Sequence, residues 1–193
     1  MRQTRPVLAL AAAFAVSGCL SFGAKPPPTL MRLTSDVQPG TSSRTAASGA
    51  AITVVPPSVP AELQTPRVPV RTGTTQVAYV KDAQWVESPN ILFARLLSAT
   101  IAGRTGRVVL DPKQFTFDPG QRLTGTLQAF GLDADTNEAV LVYDAAISRG
   151  KESVETRRFE ARVPVAALDA ASVPAALNQA ANQVAAQVAA WVG

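Results

Sequence analysis

The chain has 193 residues and a formal net charge of +4, a charge too small and too scattered to indicate a nucleic-acid partner. It contains no histidine and a single cysteine, which excludes Ser-His-Asp and Cys-His catalytic sites, the usual zinc sites and an intrachain disulfide. We therefore predict a non-enzymatic domain that folds by packing alone, without a metal or a cofactor.

Residues 1–18 have the composition of a secretory signal peptide. Arg2 and Arg5 provide its positive start, and the apolar run at 7–16 is too short to span a bilayer. The run ends in small residues directly before the only cysteine: Val16, Ser17, Gly18 and Cys19. No later stretch is apolar for long enough to predict a transmembrane helix.

This ending resembles the lipobox of bacterial lipoproteins. In such proteins the cysteine thiol takes a diacylglycerol, the signal is cut before the cysteine, and the new N-terminus is acylated. The resemblance implies that Cys19 is the lipidated first residue of the mature protein, whose formal charge falls to +2 because Arg2 and Arg5 are removed. The alternative is an ordinary signal peptide followed by a cysteine that is simply buried.

A tether and a single domain are predicted after the cysteine. Residues 19–29 form the tether, because Pro26-Pro27-Pro28 favours an extended polyproline II conformation. The domain covers 30–193 and begins with a short strand at 30–33. Residues 34–49, rich in Ser, Thr, Gly and Ala, are predicted to be a flexible insertion.

Short strands are predicted next, from their β-branched residues. The strand at 52–55 ends at Pro56, because proline cannot donate to a sheet. The strands at 68–72 and 76–80 form a hairpin around Gly73.

A helix is predicted to begin at Ser88-Pro89 and to end at Gly103, followed by a short strand at 108–110. Its apolar stripe consists of Phe93, Leu96, Leu97, Thr100 and Ile101. Trp85 precedes the helix. We interpret it as an anchor that packs the helix entrance onto the sheet, and a contact with lipid or a partner is the alternative.

Three longer strands, at 121–132, 138–149 and 154–163, are predicted to form an antiparallel meander. Asp133 and Asp135 lie in the first turn. Their spacing is similar to that of a calcium loop, but the glycine and the closing glutamate are missing, so a plain hairpin turn is predicted.

The middle strand is apolar on both faces at 140–143, which predicts cover on both sides of the sheet or contact with a second copy of the chain. A last helix is predicted at 171–192, capped by Ser172 or Val173. Its apolar stripe consists of Val173, Leu177, Ala180, Ala181, Val184, Val188 and Trp191. Its wetter side consists of Asn178, Asn182, Gln183 and Gln187.

The order of these pieces resembles the ABC-type transport auxiliary lipoproteins, the PqiC/YmbA-like family. The likeness spans most of 19–193 and rests on the lipobox, the terminal helix and the order of the intervening segments. Those segments are 52–56, 77–85, 125–130, 157–161 and 176–191.

The resemblance implies an α+β fold, a mixed and largely antiparallel sheet with two main helices, similar to the N-terminal domain of TolB. It also implies a non-catalytic subunit that works with an MCE-domain protein, a permease and an ATPase, and moves phospholipid or other hydrophobic molecules between the membranes of a Gram-negative cell. Leu20 follows the cysteine in place of the aspartate that retains lipoproteins at the inner membrane. That difference implies anchoring at the periplasmic face of the outer membrane.

Two other functions remain as alternatives. A structural envelope lipoprotein would scaffold unrelated machinery and bind peptidoglycan or outer-membrane proteins. A hydrolase with serine or carboxylate chemistry would need no histidine, and carboxylates with strongly raised pKa values in a pocket would indicate it.

Overall fold

The computed structural model describes residues 29–37, 40, 45–47, 50–113, 120–149 and 153–193. Within these residues, seven strands form one mixed sheet, and two helices cover one of its faces. The predicted class, a mixed and largely antiparallel sheet with two main helices, is confirmed.

The elements occur close to their predicted places. The strands are β1 (Ile52–Val54), β2 (Arg67–Thr72), β3 (Gln76–Gln84), β4 (Val109–Leu110), β5 (Gln121–Asp133), β6 (Glu138–Arg149) and β7 (Ser153–Pro164). Helix α1 spans Pro89–Thr105, helix α2 spans Val173–Val192, and one 3-10 turn covers Ala61–Leu63. The strand predicted at 30–33 is the exception, since only Met31 makes a bridge there, to Trp85.

Strand β5 is the centre of the sheet because it pairs along both of its edges. Strand β6 runs antiparallel to it, from Arg122 opposite Ser148 to Asp133 opposite Glu138. On the other edge, β1 pairs in parallel with the start of β5, and β2 pairs in parallel with its end. Strands β4, β3 and β7 extend the sheet beyond β1, β2 and β6 respectively. Strands β5 to β7 therefore form the predicted antiparallel meander.

Alternate residues of β6 face the helices and form the centre of the core. Leu141, Tyr143 and Ile147 are fully buried, and the Tyr143 ring meets Phe93 of α1 edge-on, with ring centroids 5.3 Å apart. Helix α2 packs against α1 and across β6 and β7. The predicted apolar stripes of both helices are buried, apart from a half-buried Trp191. Burial of each large side chain stabilises the fold by about 1.5–3 kcal/mol.

Helix α1 continues beyond Gly103, where its end was predicted, to Thr105. Gly106 adopts a left-handed conformation with φ of 70°, and its N–H donates to the carbonyl of Ala102 at 3.1 Å. A residue with a Cβ is strained in that conformation, so Gly106 is the residue that can end the helix. Gly103 and Gly106 are both residues at which a helix can end, and the helix ends at the second of them.

Candidate interaction surfaces

The predicted lipidation site lies outside the described residues, which include none of Val16, Ser17, Gly18 and Cys19. The described chain begins at Thr29. The Met31 N–H donates to the Gln84 carbonyl at 2.7 Å, and the Val86 N–H donates to the Met31 carbonyl at 2.8 Å. The chain therefore enters the domain beside the end of β3. In the part of the chain that the structure describes, neither helix is long and apolar enough to cross a bilayer.

Trp85 is a packing residue. It is 1% exposed, and its ring stacks on Phe130 of β5 with centroids 5.0 Å apart. The alternative role in contacting lipid or a partner is wrong, because the ring is not accessible. The Trp85 indole N–H has no hydrogen-bond partner among the described residues.

Residues that follow the entry point are held against α2. The Thr34 N–H donates to the Asn178 Oδ1 at 2.8 Å, and the Asp36 N–H donates to the Asn182 Oδ1 at 3.0 Å. The Asn182 Nδ2 donates to the Thr34 carbonyl at 2.8 Å. The start of the predicted insertion at 34–49 is therefore bonded to the last helix.

A groove runs along the outer side of α1 and has a volume of about 760 Å³. We call it the α1 groove. Its apolar wall consists of Val54, Val55, Pro56, Ile91, Ala94, Ala99, Ala102, Val109, Leu110 and Pro112. Its charged residues are Glu87, Arg95, Asp111 and Lys113. An apolar centre with a charged rim is the usual composition of a protein-binding surface.

The face of the sheet opposite the helices is covered by ion pairs and a short turn. Asp144 accepts from the Arg158 Nε at 2.6 Å, and Arg162 donates to Glu160 at 2.7 Å. Val140 is buried, and Val140 and Val142 line a groove together with Leu63 of the 3-10 turn. This groove has a volume of about 80 Å³, which is well below the roughly 300–1,000 Å³ of ligand pockets.

The shifted pKa values have structural causes. The hydrogen bond from Arg158 lowers the pKa of Asp144, and the N–H of Ser172 lowers the pKa of Asp169. Burial raises the pKa of Tyr143, whose hydroxyl donates to the Thr124 carbonyl at 2.8 Å. The bonds of Asp144 and Tyr143 join neighbouring strands, and those of Asp169 hold the turn before α2.

The two aspartates of the predicted hairpin turn hold the loop together. The Asp133 Oδ1 accepts from the N–H groups of Asp135 and Thr136, and the Asp135 Oδ2 accepts from the Gly73 N–H at 2.8 Å. The plain turn is confirmed. Among the described residues, no group of three or more carboxylate or thiol side chains is placed to hold a metal ion.

Three features of these surfaces were missed in the sequence. Asn182 was placed on the wetter side of α2 but is 7% exposed. Ser172 is the N-cap residue of α2 but makes no side-chain cap hydrogen bond. The Asp169 carboxylate accepts from the N–H groups of Ala171 and Ser172 in the turn that precedes the helix. The α1 groove had a readable signal, since Ile91, Ala99 and Ala102 make the side of α1 away from the core apolar as well.

A family model described as the ABC-type transport auxiliary lipoprotein component matches residues 32–189. Two crystal structures show the same fold. A Xanthomonas campestris protein assigned to the DUF330 family has a TM-score of 0.67 and 19% identity, over 85% of this chain and 94% of that one. An uncharacterized protein has a TM-score of 0.66 and 17% identity, over 77% of this chain and 95% of the other. No curated protein matches the sequence.

Proposed function

Since the chain belongs to the family of ABC-type transport auxiliary lipoproteins, we propose that it is the lipid-anchored accessory subunit of an ABC transporter that works with an MCE-domain protein. The transporter would move phospholipid or other hydrophobic molecules between the inner and outer membranes. The observation that carries the proposal is the family match over residues 32–189, which covers nearly the whole described domain. The family is one of transport auxiliary components and not of enzymes, which favours a non-catalytic role.

The anchor in this proposal is Cys19, and its site is the periplasmic face of the outer membrane. Cys19→Ser removes the thiol that accepts diacylglycerol, so the variant should be unacylated and leave the membrane fraction. Ser21→Ala is the matched control and should fractionate as the wild type does. Leu20→Asp should shift the acylated protein to the inner membrane, because it installs the retention residue. A Cys19→Ser variant that is still acylated would contradict the anchor.

The α1 groove is the surface that we propose for the transporter partner. Its volume of about 760 Å³ is almost ten times that of the groove on the opposite face of the sheet. Strand β4, on its wall, pairs only with β1 among the described strands, so its outer edge is open to a partner. A half-buried apolar surface that also carries charges of both signs suits a folded protein better than a single lipid chain.

A pair of charge substitutions tests this docking surface. Ala99→Asp places a carboxylate on the wall of the groove, and Ala175→Asp places one on an exposed position of α2. We expect Ala99→Asp to lower crosslinking to the MCE-domain protein at least tenfold, because burial of an unpaired charge at an interface costs several kcal/mol. Ala175→Asp should crosslink like the wild type. Equal crosslinking by both variants would exclude the α1 groove as the docking surface.

The alternative is a structural lipoprotein that scaffolds other envelope machinery. It would be anchored in the same way but would crosslink to peptidoglycan or to outer-membrane proteins in place of transporter components. The partner found by crosslinking therefore separates the two functions.

A further inference from the structure

Three exposed side chains lie together where the chain enters the domain. Leu30 is 50% exposed, Val86 is 56% exposed, and Arg32 is also exposed. Met31 is buried between Leu30 and Arg32, so those two side chains point outward on the same side. The hydrogen bond between Met31 and Val86 brings Val86 alongside them. We call these three residues the anchor-side patch.

The patch carries the positive charge of Arg32. Among the described residues Arg32 forms no ion pair, whereas nearby Arg95 donates to the Glu87 carboxylate at 3.1 Å. A groove of about 270 Å³ adjoins the patch, and Arg32, Val86 and Arg95 all lie on its walls. Two exposed apolar side chains beside an exposed guanidinium match the chemistry of an anionic phospholipid surface, which offers an apolar boundary below negative headgroups.

The length of the preceding chain keeps this patch close to the membrane. Eleven residue steps separate Cys19 from Leu30, and a fully extended chain covers at most about 3.6 Å per step, or about 40 Å in total. That reach is about the diameter of a domain of this size. An anchored domain is thus held at a high effective concentration near the bilayer, and a weak contact is enough to orient it.

We propose that the anchor-side patch contacts the phospholipid leaflet that holds the acyl chains of Cys19. Leu30 and Val86 lie at the headgroup boundary, and Arg32 lies beside anionic headgroups. This contact would fix which side of the domain faces the membrane and leave β7, at the opposite edge of the sheet, facing away from it. The inference rests on the proposed lipid anchor.

The single cysteine of the chain makes a direct test available. Acylation consumes the Cys19 thiol, so Val86→Cys introduces the only free thiol into the full lipidated protein, and it can take an environment-sensitive fluorophore. Val154→Cys is the matched control, because Val154 is 68% exposed on β7. Both proteins are placed in phosphatidylethanolamine–phosphatidylglycerol vesicles, with and without bromine atoms on the acyl chains.

We expect bromine to quench the fluorophore at position 86 and not at position 154. Arg32→Gln should weaken the contact of the patch with anionic vesicles about fivefold, as measured by the quenching at position 86, since one basic residue near such a surface contributes about 1 kcal/mol. The same substitution should have no effect in neutral vesicles. A probe at position 86 that is no more quenched than the probe at 154, on acylated protein, overturns this inference alone. A second labelled thiol at Cys19, seen by mass spectrometry, contradicts the anchor and this inference together.

Discussion

The Asn182 side-chain amide donates a hydrogen bond to the Thr34 carbonyl at 2.8 Å and joins residues 148 positions apart in the chain. The same amide donates to the Asn178 carbonyl at 2.9 Å, and its oxygen accepts from the Asp36 N–H at 3.0 Å. The last helix therefore holds residues 34–36 in place, and two of the hydrogen bonds that do so are made by the buried side chain of Asn182.

Asn182→Ala should release that segment. The substitution leaves the Thr34 carbonyl and the Asp36 N–H without their side-chain partner, which costs about 1–3 kcal/mol of unfolding free energy. Urea unfolding measures the cost, and hydrogen exchange at residues 34–37 should become faster. Gln183→Ala, at an exposed position next along the helix, is the control. Unchanged hydrogen exchange at residues 34–37 in Asn182→Ala would show that the Asn182 hydrogen bonds do not hold this segment.

Tyr143→Phe should cost about 1 kcal/mol at neutral pH, because the Thr124 carbonyl loses its donor at 2.8 Å. This loss of stability relative to wild type should become smaller at alkaline pH. Burial raises the pKa of Tyr143 above the value of about 10 in the unfolded chain. Its contribution to stability is complete below that value and is lost as the pH rises towards the raised pKa, since only the unfolded chain then releases the proton.

The unfolding free energies of wild type and Tyr143→Phe should therefore converge between about pH 9 and 11. The wild-type value should fall by at most about 1.4 kcal/mol per pH unit relative to that of the variant, which corresponds to the release of one proton. Tyr79→Phe, which removes the other tyrosine hydroxyl, keeps Tyr143 and should follow the alkaline loss of the wild type. A gap between wild type and Tyr143→Phe that stays constant with pH would contradict the buried, neutral phenol.

Asp144 should make an acid-sensitive contribution. Its pKa is lowered mainly by the hydrogen bond from Arg158, so its contribution is present above the unfolded value of about 4 and is lost as the pH falls through the lowered pKa. The pair is largely exposed, so its contribution is small. Asp144→Asn should be less stable than wild type at pH 7, and the difference should shrink as the pH falls below about 4. Asp82→Asn, at an exposed position of β3, is the control, and a pH-independent deficit in Asp144→Asn would contradict the ion pair.

Gly125→Ala should be severely destabilising because of crowding. An added Cβ would lie 2.1 Å from the Asp144 carbonyl oxygen and 2.8 Å from the Tyr143 ring. We expect a loss of about 3 kcal/mol or more, the upper end of overpacking. Gly73→Ala is the comparison, because its φ is +60° but nothing lies within 4 Å of an added Cβ. It should cost about 1–2 kcal/mol from backbone strain alone. Similar losses for both would mean that β5 and β6 can separate to admit the methyl group.

Local patterns in the sequence predicted most of the elements. The apolar stripe from Phe93 to Ile101 indicates the buried side of α1. The alternation of apolar and polar residues that ends at Phe159 and Val163 indicates the buried face of β7. Periodicity of this kind predicted both helices and the meander. Gly73 and the turn at Asp133 predicted the two hairpins correctly, because the turn preference of such residues arises from local backbone conformation and local hydrogen bonds.

The remaining features depend on contacts between distant parts of the chain. The two-sided pairing of β5 places β1 at its start and β2 at its end, and no local pattern specifies either register. Asn182 looked solvated because its partners, Thr34 and Asp36, lie at the other end of the chain. The α1 groove forms only when β4 is placed beside α1, although the second apolar side of that helix was already present in the sequence.

Our proposal that this chain is an acylated subunit of an ABC transport system is tested most directly by in-cell crosslinking of the full chain. The chain is then purified from the envelope, and mass spectrometry is applied to both the protein and its partners. We expect two acyl-linked modifications on Cys19, the diacylglycerol and the N-acyl chain, and recovery of an MCE-domain protein with its permease and ATPase. An unmodified Cys19, or an acylated protein crosslinked only to peptidoglycan or outer-membrane proteins, would contradict it.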